Sequence, residues 1–299
     1  FIPFQNNESV AKTANAQLAS DKEQSEYVAL IERAVSEIKS SSMQKVVLSR
    51  KQSIPHSYAS PVTIFQRLLA AYPTAFVYCW YHPKVGLWLG ASPETLVAIK
   101  NRQLKTMALA GTQKYKGDLN VRWEAKEKEE QQIVTDSIVE NLESVVDKLT
   151  VSEVITHRAG SLLHLKTSIS GTLKTDSQSI GQIINALHPT PAVCGLPRKL
   201  AQKFIAQNET YTRSFYTGFL GELNTLSERK RARSRRNIEN QVYTAVKKST
   251  DLFVNLRCVE IDSRGAQLYV GGGITASSIP PNEWEETVNK LSTILSVLK

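Results

Sequence analysis

The stretch KVVLSRK (Lys45–Lys51) reads as a β-strand with a lysine set into its apolar half. Val46, Val47 and Leu48 call for a core, and side chains alternate along a strand. Lys45, Val47 and Ser49 therefore share one face, and Val46, Leu48 and Arg50 the other. Two readings follow. Lys45 is the solvated end of the strand, or it is a lysine turned into a working cavity. The choice depends on what the rest of the chain assembles around it.

Working outward, SDKE (Ser20–Glu23) resembles a capping box and opens a helix with Tyr27, Leu30, Ile31, Val35 and Ile38 on one side. Ser60-Pro61 starts a second helix that runs through Phe65, Leu68 and Leu69 to Tyr72-Pro73. The runs AFVYCWYH, VGLWLGAS, TLVAIK and LKTMALAG, joined by short turns such as HPK and KNRQ, predict an antiparallel meander. A long helix is expected over Val121–Leu149, striped by Ile133, Val134, Ile138 and Leu142. Strands are expected at VSEVITH and LLHLKTSISGTL. Helices over Gln178–Leu187 and Leu196–Gln207 flank HPTPAVCG. Strands SFYTGFLGEL, LFVNLRCVEI and QLYVGGGI follow, then a last helix over Glu283–Leu298. There is no repeat and no dividing linker. The expectation is an α+β fold over residues 1–299, with large antiparallel sheets, helices packed outside and a loosely packed polar segment over residues 1–20.

The 299 residues are 41% hydrophobic and 22% charged, which suits a globular chain. No apolar run approaches the roughly 20 residues of a membrane helix. No cationic, apolar leader is visible, and a start on Phe1 rather than Met implies a missing native beginning. Cys79, Cys194 and Cys258 lack CxxC or Cys/His spacing, which argues against a disulfide framework or a zinc site and fits a reducing cytoplasm. The net charge of +9 admits nucleic acid or acidic metabolites as partners. Much of the excess sits in ERKRARSRR (Glu228–Arg236), expected within an exposed loop or long hairpin tip over 224–248. No aromatic residues interleave with it, so a nucleic-acid or polyanion role is the minor reading.

The residues that could carry chemistry are spread over many elements. Glu127 and Glu130 in EAKEKEE lie one helical turn apart, as do Glu283 and Glu286 in NEWEET. Brought together, four carboxylates suit a hard cation such as Mg²⁺. By spacing alone each pair reads first as a solvated helix face, which Lys126 and Lys128 would serve well. Glu94 in LGASPETL is either a turn-capping acid or a carboxyl in a partly apolar site that holds a proton. The glycines of YVGGGIT, Gly271 to Gly273, allow a bulge or the close approach of a ligand. His164 on an apolar strand is more often a hydrogen-bonded core residue than a catalyst. Arg257 interrupts a strand as Lys45 does and needs an anion, from the protein or bound. Neither GxSxG nor a Cys/His nucleophile signature is present.

Taken in order, KVVLSR, LGASPETL, ALAGT, KEKEEQQIV, LHLKTSISG, LHPTPAVCGLP, FYTGFLGEL, VNLRCVEI, GGGI and EWEETVNKLSTIL resemble the chorismate-utilising enzymes, from about Gln44 to the C-terminus. Within that family the isochorismate synthases are the nearest group, by the lysine at position 45 and by HPTPA. The resemblance implies a Mg²⁺-dependent isomerisation in a central cleft. Water adds at C2 of chorismate, the double bonds shift, and hydroxide leaves C4. Lys45 would be the base and Glu94 the acid. Glu130 and Glu286 would bind Mg²⁺, with Glu127 and Glu283 assisting. Tyr216, Arg257 and the Gly272–Gly273 backbone would take the enolpyruvyl carboxylate. Lys290 would face the substrate, His164 and Thr190 would line the ring end, and Ala110, Gly111 and Thr112 the C4 side. No amidotransferase partner is implied, and the group is often monomeric or weakly dimeric. The product would enter menaquinone or siderophore biosynthesis. A salicylate synthase, which goes on to eliminate pyruvate, is the rival within the family. Residues 224–248 are longer and more basic than the resemblance leads one to expect, and the family's N-terminal part is shortened or missing.

Overall fold

The computed structural model describes residues 20–55, 59–174, 179–229, 245–262 and 265–298. The elements are α1 (Asp21–Ser40), β1 (Lys45–Ile54), α2 (Pro61–Ala71), β2 (Phe76–His82), β3 (Gly86–Ser92), β4 (Thr95–Lys100), β5 (Gln103–Lys114), α3 (Ala125–Leu142), β6 (Val146–Val151), β7 (Ile155–Ala159), β8 (Leu162–Leu173), α4 (Ile180–Leu187), β9 (Gly195–Leu196), α5 (Arg198–Asn208), β10 (Phe219–Arg229), β11 (Ala245–Val254), β12 (Cys258–Asp262), β13 (Gly265–Ile274) and α6 (Pro280–Leu298). This is the α+β arrangement expected. One sheet runs β2-β3-β12-β13-β1-β9; the other runs β10-β11-β4-β5-β8-β6, with β7 also paired to β8.

Local chemistry sets the elements. Ser20 and Glu23 form both bonds of the capping box, and Tyr27, Leu30, Ile31, Ala34 and Ile38 are the buried face of α1. Pro61 sits in the first turn of α2, where its missing N–H costs nothing, and Ser60 caps the helix. In β1 the first six residues are buried on both faces, because α1 and α5 cover one side and the cleft lies on the other. The solvated-end reading of Lys45 is thereby excluded: its side chain is fully buried.

Two chain corners join the sheets and decide where the site falls. β3 belongs to the first sheet and β4 to the second, and the chain changes sheets at Pro93-Glu94. β11 and β12 change sheets in the same way at Asn255–Arg257. The two corners are hydrogen-bonded to each other. Val254 N donates to Glu94 O, Ala91 N to Arg257 O and Ser92 Oγ to Val254 O. Arg257 turns with a φ of +49°, a left-handed conformation that strains a non-glycine residue by roughly 1–3 kcal/mol.

Three expectations are corrected. The helix over Val121–Leu149 is shorter. Trp123 packs on Leu163 and Leu165 before α3 begins, and Val146 pairs with Leu173 in β6, where β-branched residues fit the pleat. The run SFYTGFLGEL becomes strand only at Phe219, since Ser214 and Thr217 are left-handed and form a turn over 214–218. The run VSEVITH is split between β6 and β7. Of the two expectations for the basic region, loop or long hairpin, the described part takes the hairpin: β10 and β11 pair out to Arg229 and Ala245, so residues 224–229 and 245–248 are hairpin arms. Residues 230–244 and 1–19 lie outside those described.

Candidate active site

The cleft lies where the two sheets meet. β1 and β13 supply one wall, β5 and β8 another, α3 contributes Glu130, and α6 contributes Glu286, Lys290 and Ile294. Of the sequence-predicted residues, Glu94, Ala110, Gly111, Thr112, Glu130, His164, Tyr216, Arg257, Gly272, Gly273, Glu286 and Lys290 line it. Lys45, Glu127, Glu283 and Thr190 do not reach its surface. They stand one layer behind.

Lys45 is the clearest case. Its Nζ is 2.9 Å from Glu130 Oε1, an ion pair in the interior. Gly273 opens the space: a Cβ there would sit 2.2 Å from Glu130 Oε1 and 2.9 Å from Lys45 Cε. A side chain at 273 would push the pair apart. Burial raises the proton affinity of Glu130, but Lys45 and then Lys290 and Lys126 outweigh it, and the carboxyl is held below its ordinary value. Glu94 is in the opposite condition. It is buried at the β3–β4 corner with no cation against it, and desolvation pushes it up to about 8, with the Lys45 charge only partly opposing. The site thus holds one ionised and one protonated carboxyl near neutral pH, set apart by environment.

Arg257 donates to Ala159 O at 3.0 Å and to His164 Nε2 at 2.9 Å. A guanidinium can only donate, so Nε2 accepts and Nδ1 carries the proton, which it gives to Gly111 O at 2.9 Å. His164 is therefore neutral. Burial first, and then the Arg257 charge, hold it well below its ordinary value. No carboxylate pairs with Arg257 among the described residues, so its charge is available to an anion in the cleft. Gly111 adopts a φ of +67° and brings its backbone against α3, where a Cβ would meet that of Glu127 at 3.0 Å. Tyr216 stacks on Tyr269 with ring centroids 5.5 Å apart, and its turn is bonded to the second corner through Thr217 N to Asn255 O.

The four helix carboxylates gather around the Gly272–Gly273 backbone and Gly111, and three of them each have a lysine. Glu130 pairs with Lys45. Glu286 Oε1 accepts from Lys290 Nζ at 2.6 Å, and Lys290 also donates to Gly271 O at 2.9 Å. Glu283 accepts from Lys126, the lysine that the spacing assigned to a solvated face. Glu127 Oε2 and Glu283 Oε2 are buried without a hydrogen-bond partner, as is the Thr190 hydroxyl. Among the described residues, no three acidic, histidine or cysteine side chains converge closely enough to hold a cation as they stand.

Several residues escaped the reading of the sequence. Val47, Leu109, Val193, Leu256 and Ile294 line the cleft but look like any core residue. Arg213 gave no signal either. It donates to Val47 O at 2.6 Å, to Val193 O at 3.1 Å and to both oxygens of Glu209, tying β1 to the loop before β9.

A cleft lined by a buried carboxyl that holds its proton and by a guanidinium without a carboxylate partner among the described residues is suited to a small anionic molecule. The comparisons carry this further. Residues 3–228 match one family model described as chorismate binding enzyme, and residues 241–296 match a second of the same description. The chain belongs to the chorismate binding enzyme family. It is 31% identical over 296 residues to the salicylate biosynthesis isochorismate synthase of Pseudomonas aeruginosa, covering 96% of this chain and 57% of that one. It is 29% identical over 285 residues to the isochorismate synthase MenF of Escherichia coli, covering 91% and 60%. The solved structure of E. coli MenF superposes with a TM-score of 0.75 at 25% identity, over 92% of this chain and 61% of that chain. The chain spans about two thirds or less of the length of the curated relatives it matches.

Proposed function

We propose that the protein is an isochorismate synthase, converting chorismate to isochorismate in this cleft. The observation that carries the reading is Glu94: a buried carboxyl pushed up to about 8, on the cleft wall, within the field of a buried lysine. A protonated carboxyl can give its proton to the departing C4 hydroxyl. Lys45 takes a proton from the water that adds at C2. Its ammonium contact with Glu130 lies behind the cleft wall, so Lys45 reaches that water only when the contact opens. Arg257 and Tyr216, which both line the cleft, would receive the enolpyruvyl carboxylate. His164, locked in one neutral tautomer, keeps the guanidinium aimed into the cleft.

The donor set fits Mg²⁺: it is all oxygen, and buried Glu283 Oε2 and Glu127 Oε2 have no partner of their own. Glu130 and Glu286 would hold the ion, with Glu127 and Glu283 in support. When bound, it would supply positive charge for the ring carboxylate. Water as nucleophile leaves no role for an amidotransferase. The three free cysteines are in keeping with a cytoplasmic enzyme, and no described helix is long and apolar enough to cross a membrane. The product would feed menaquinone or siderophore synthesis.

The test is purified protein with chorismate and Mg²⁺, followed by chromatography and salicylate fluorescence. Isochorismate accumulating without pyruvate is the expected result. Salicylate and pyruvate appearing together would make it a salicylate synthase instead. Glu130→Gln is expected to weaken the Mg²⁺ dependence, and unchanged dependence would remove Glu130 from the ligand set.

A further inference from the structure

We infer that Lys126 is the internal counter-ion of the acidic cluster and competes with the divalent cation for Glu283, so that this lysine sets the cation affinity of the site. The inference rests on the magnesium part of the reading above. The first turn of α3 brings Lys126 against the first turn of α6, where its Nζ donates to Glu283 Oε1. Glu283 is only 1% exposed, and its other oxygen has no hydrogen-bond partner. A buried carboxylate in that condition is costly unless a cation accompanies it. The ammonium supplies that cation from within the chain.

The three lysines of the cluster are not equivalent. Lys45 is fully buried on β1, and Lys290 is held by a second bond to Gly271 O. Lys126 has Glu283 as its one ion-pair partner among the described residues. Its side chain is 24% exposed, so its long stem gives the ammonium a route to water. Three of the four carboxylates, Glu130, Glu283 and Glu286, each turned to its own lysine, also account for the lack of a convergent ligand set among the described residues. A dication that draws Glu283 toward Glu286 and Glu130 must first displace Lys126.

The experiment is Mg²⁺ titration by calorimetry at fixed pH and ionic strength. Lys126→Met keeps the stem and removes the charge, leaving Glu283 a buried acid that only the added cation can satisfy. It is expected to bind Mg²⁺ about tenfold tighter than the unmodified protein, or more. Lys128→Met changes the net charge equally on the exposed side of the same helix and is expected to stay within about twofold. Lys126→Arg keeps the charge and is expected not to tighten binding. If Lys126→Met fails to fold, Lys126→Gln makes the same comparison. Binding by Lys126→Met no tighter than the unmodified protein, or equal tightening in Lys128→Met, would overturn the inference. Absence of Mg²⁺ binding in every form would overturn it together with the magnesium part of the reading. The expected order of affinities in a protein that leaves chorismate unchanged would uphold the lysine and overturn the activity.

Discussion

Lys45 Nζ, behind the cleft wall, stands 2.9 Å from Oε1 of Glu130, which lines the cleft, and Gly273 is the residue whose missing side chain makes room for them. The lysine is therefore not an isolated buried amine. Its position is coupled to whatever else engages Glu130, which links the acidic cluster on α3 and α6 to the lysine on β1.

Replacing Lys45 by Met should separate two effects. Turnover is expected to fall about 10²-fold or more, with chorismate binding retained, because the proposed base is lost while Arg257, the proposed anion site, is untouched. Stability is also expected to fall, by on the order of 3 kcal/mol, because Glu130 is left charged without its partner. The double variant Lys45→Met/Glu130→Gln should recover part of that stability and none of the activity. Denaturant unfolding and steady-state kinetics on the three proteins check both statements; near-normal turnover in Lys45→Met would remove it from the chemistry.

Glu94 gives the site a pH dependence of defined sign. Its carboxyl is raised from an ordinary carboxylate value to about 8 by burial. In the proposed role of proton donor it must be neutral, so kcat is expected to decline as pH rises through about 8. The same shift bears on stability. The folded protein holds this proton more tightly than the unfolded chain does. The contribution is fully present below the unfolded value near 4.5 and is lost as pH rises to about 8, by up to about 1.4 kcal/mol per unit. Glu94→Gln should abolish turnover and flatten the stability profile over that interval. Urea unfolding at several pH values, compared between the two proteins, is the measurement.

Neighbouring glycines are expected to behave differently. A Cβ at Gly273 would fall 2.2 Å from Glu130 Oε1, whereas one at Gly272 would find its nearest neighbour, Glu286 Oε1, at 3.5 Å. Gly273→Ala must displace the Lys45–Glu130 pair, so it should lower the melting temperature by several degrees and cut turnover sharply. Gly272→Ala should leave the melting temperature within about 2 °C, the shift of a fraction of a kcal/mol. Equal thermal effects would show that the pair does not depend on Gly273.

The sequence revealed those parts of this site that break a local pattern. A lysine in an apolar strand, a glutamate after Gly-Ala-Ser-Pro and an arginine inside LFVNLRCVEI are each out of place. Glu94 and Arg257 are out of place because they stand at the two corners where the chain changes sheets. What stayed hidden depends on long-range pairing. Period-2 alternation put Lys45 on the face of Val47 but could not say that Val47 would line the cleft while Lys45 stood behind it. Lys126 satisfied the rule for a solvated helix face, and only the approach of α6 turns it inward. The helix over Val121–Leu149 was drawn too long because Val145 and Val146 continue an apolar run, and the partner that claims them for a strand, Leu173, lies far along the chain.

Arg213 is the hidden residue whose removal should be most informative. One guanidinium holds the Val47 carbonyl on β1, the Val193 carbonyl in the loop that follows Thr190, and both oxygens of Glu209. Glu209 in turn accepts from Ser49 N and Oγ, so the network grips β1 on both sides of Leu48. Arg213 touches no reacting group and is expected to act as a positioning residue. Arg213→Lys keeps the charge beside Glu209 but cannot reach both carbonyls in the fork geometry of a guanidinium. It should lower kcat about tenfold or more with a much smaller change in KM, since the wall carrying Lys45 shifts while Arg257 stays in place. A purely structural role would instead lower the melting temperature and the active fraction, leaving kcat per folded molecule unchanged. Active-site titration alongside thermal unfolding distinguishes the two, and unchanged kcat per folded molecule would refute the positioning role.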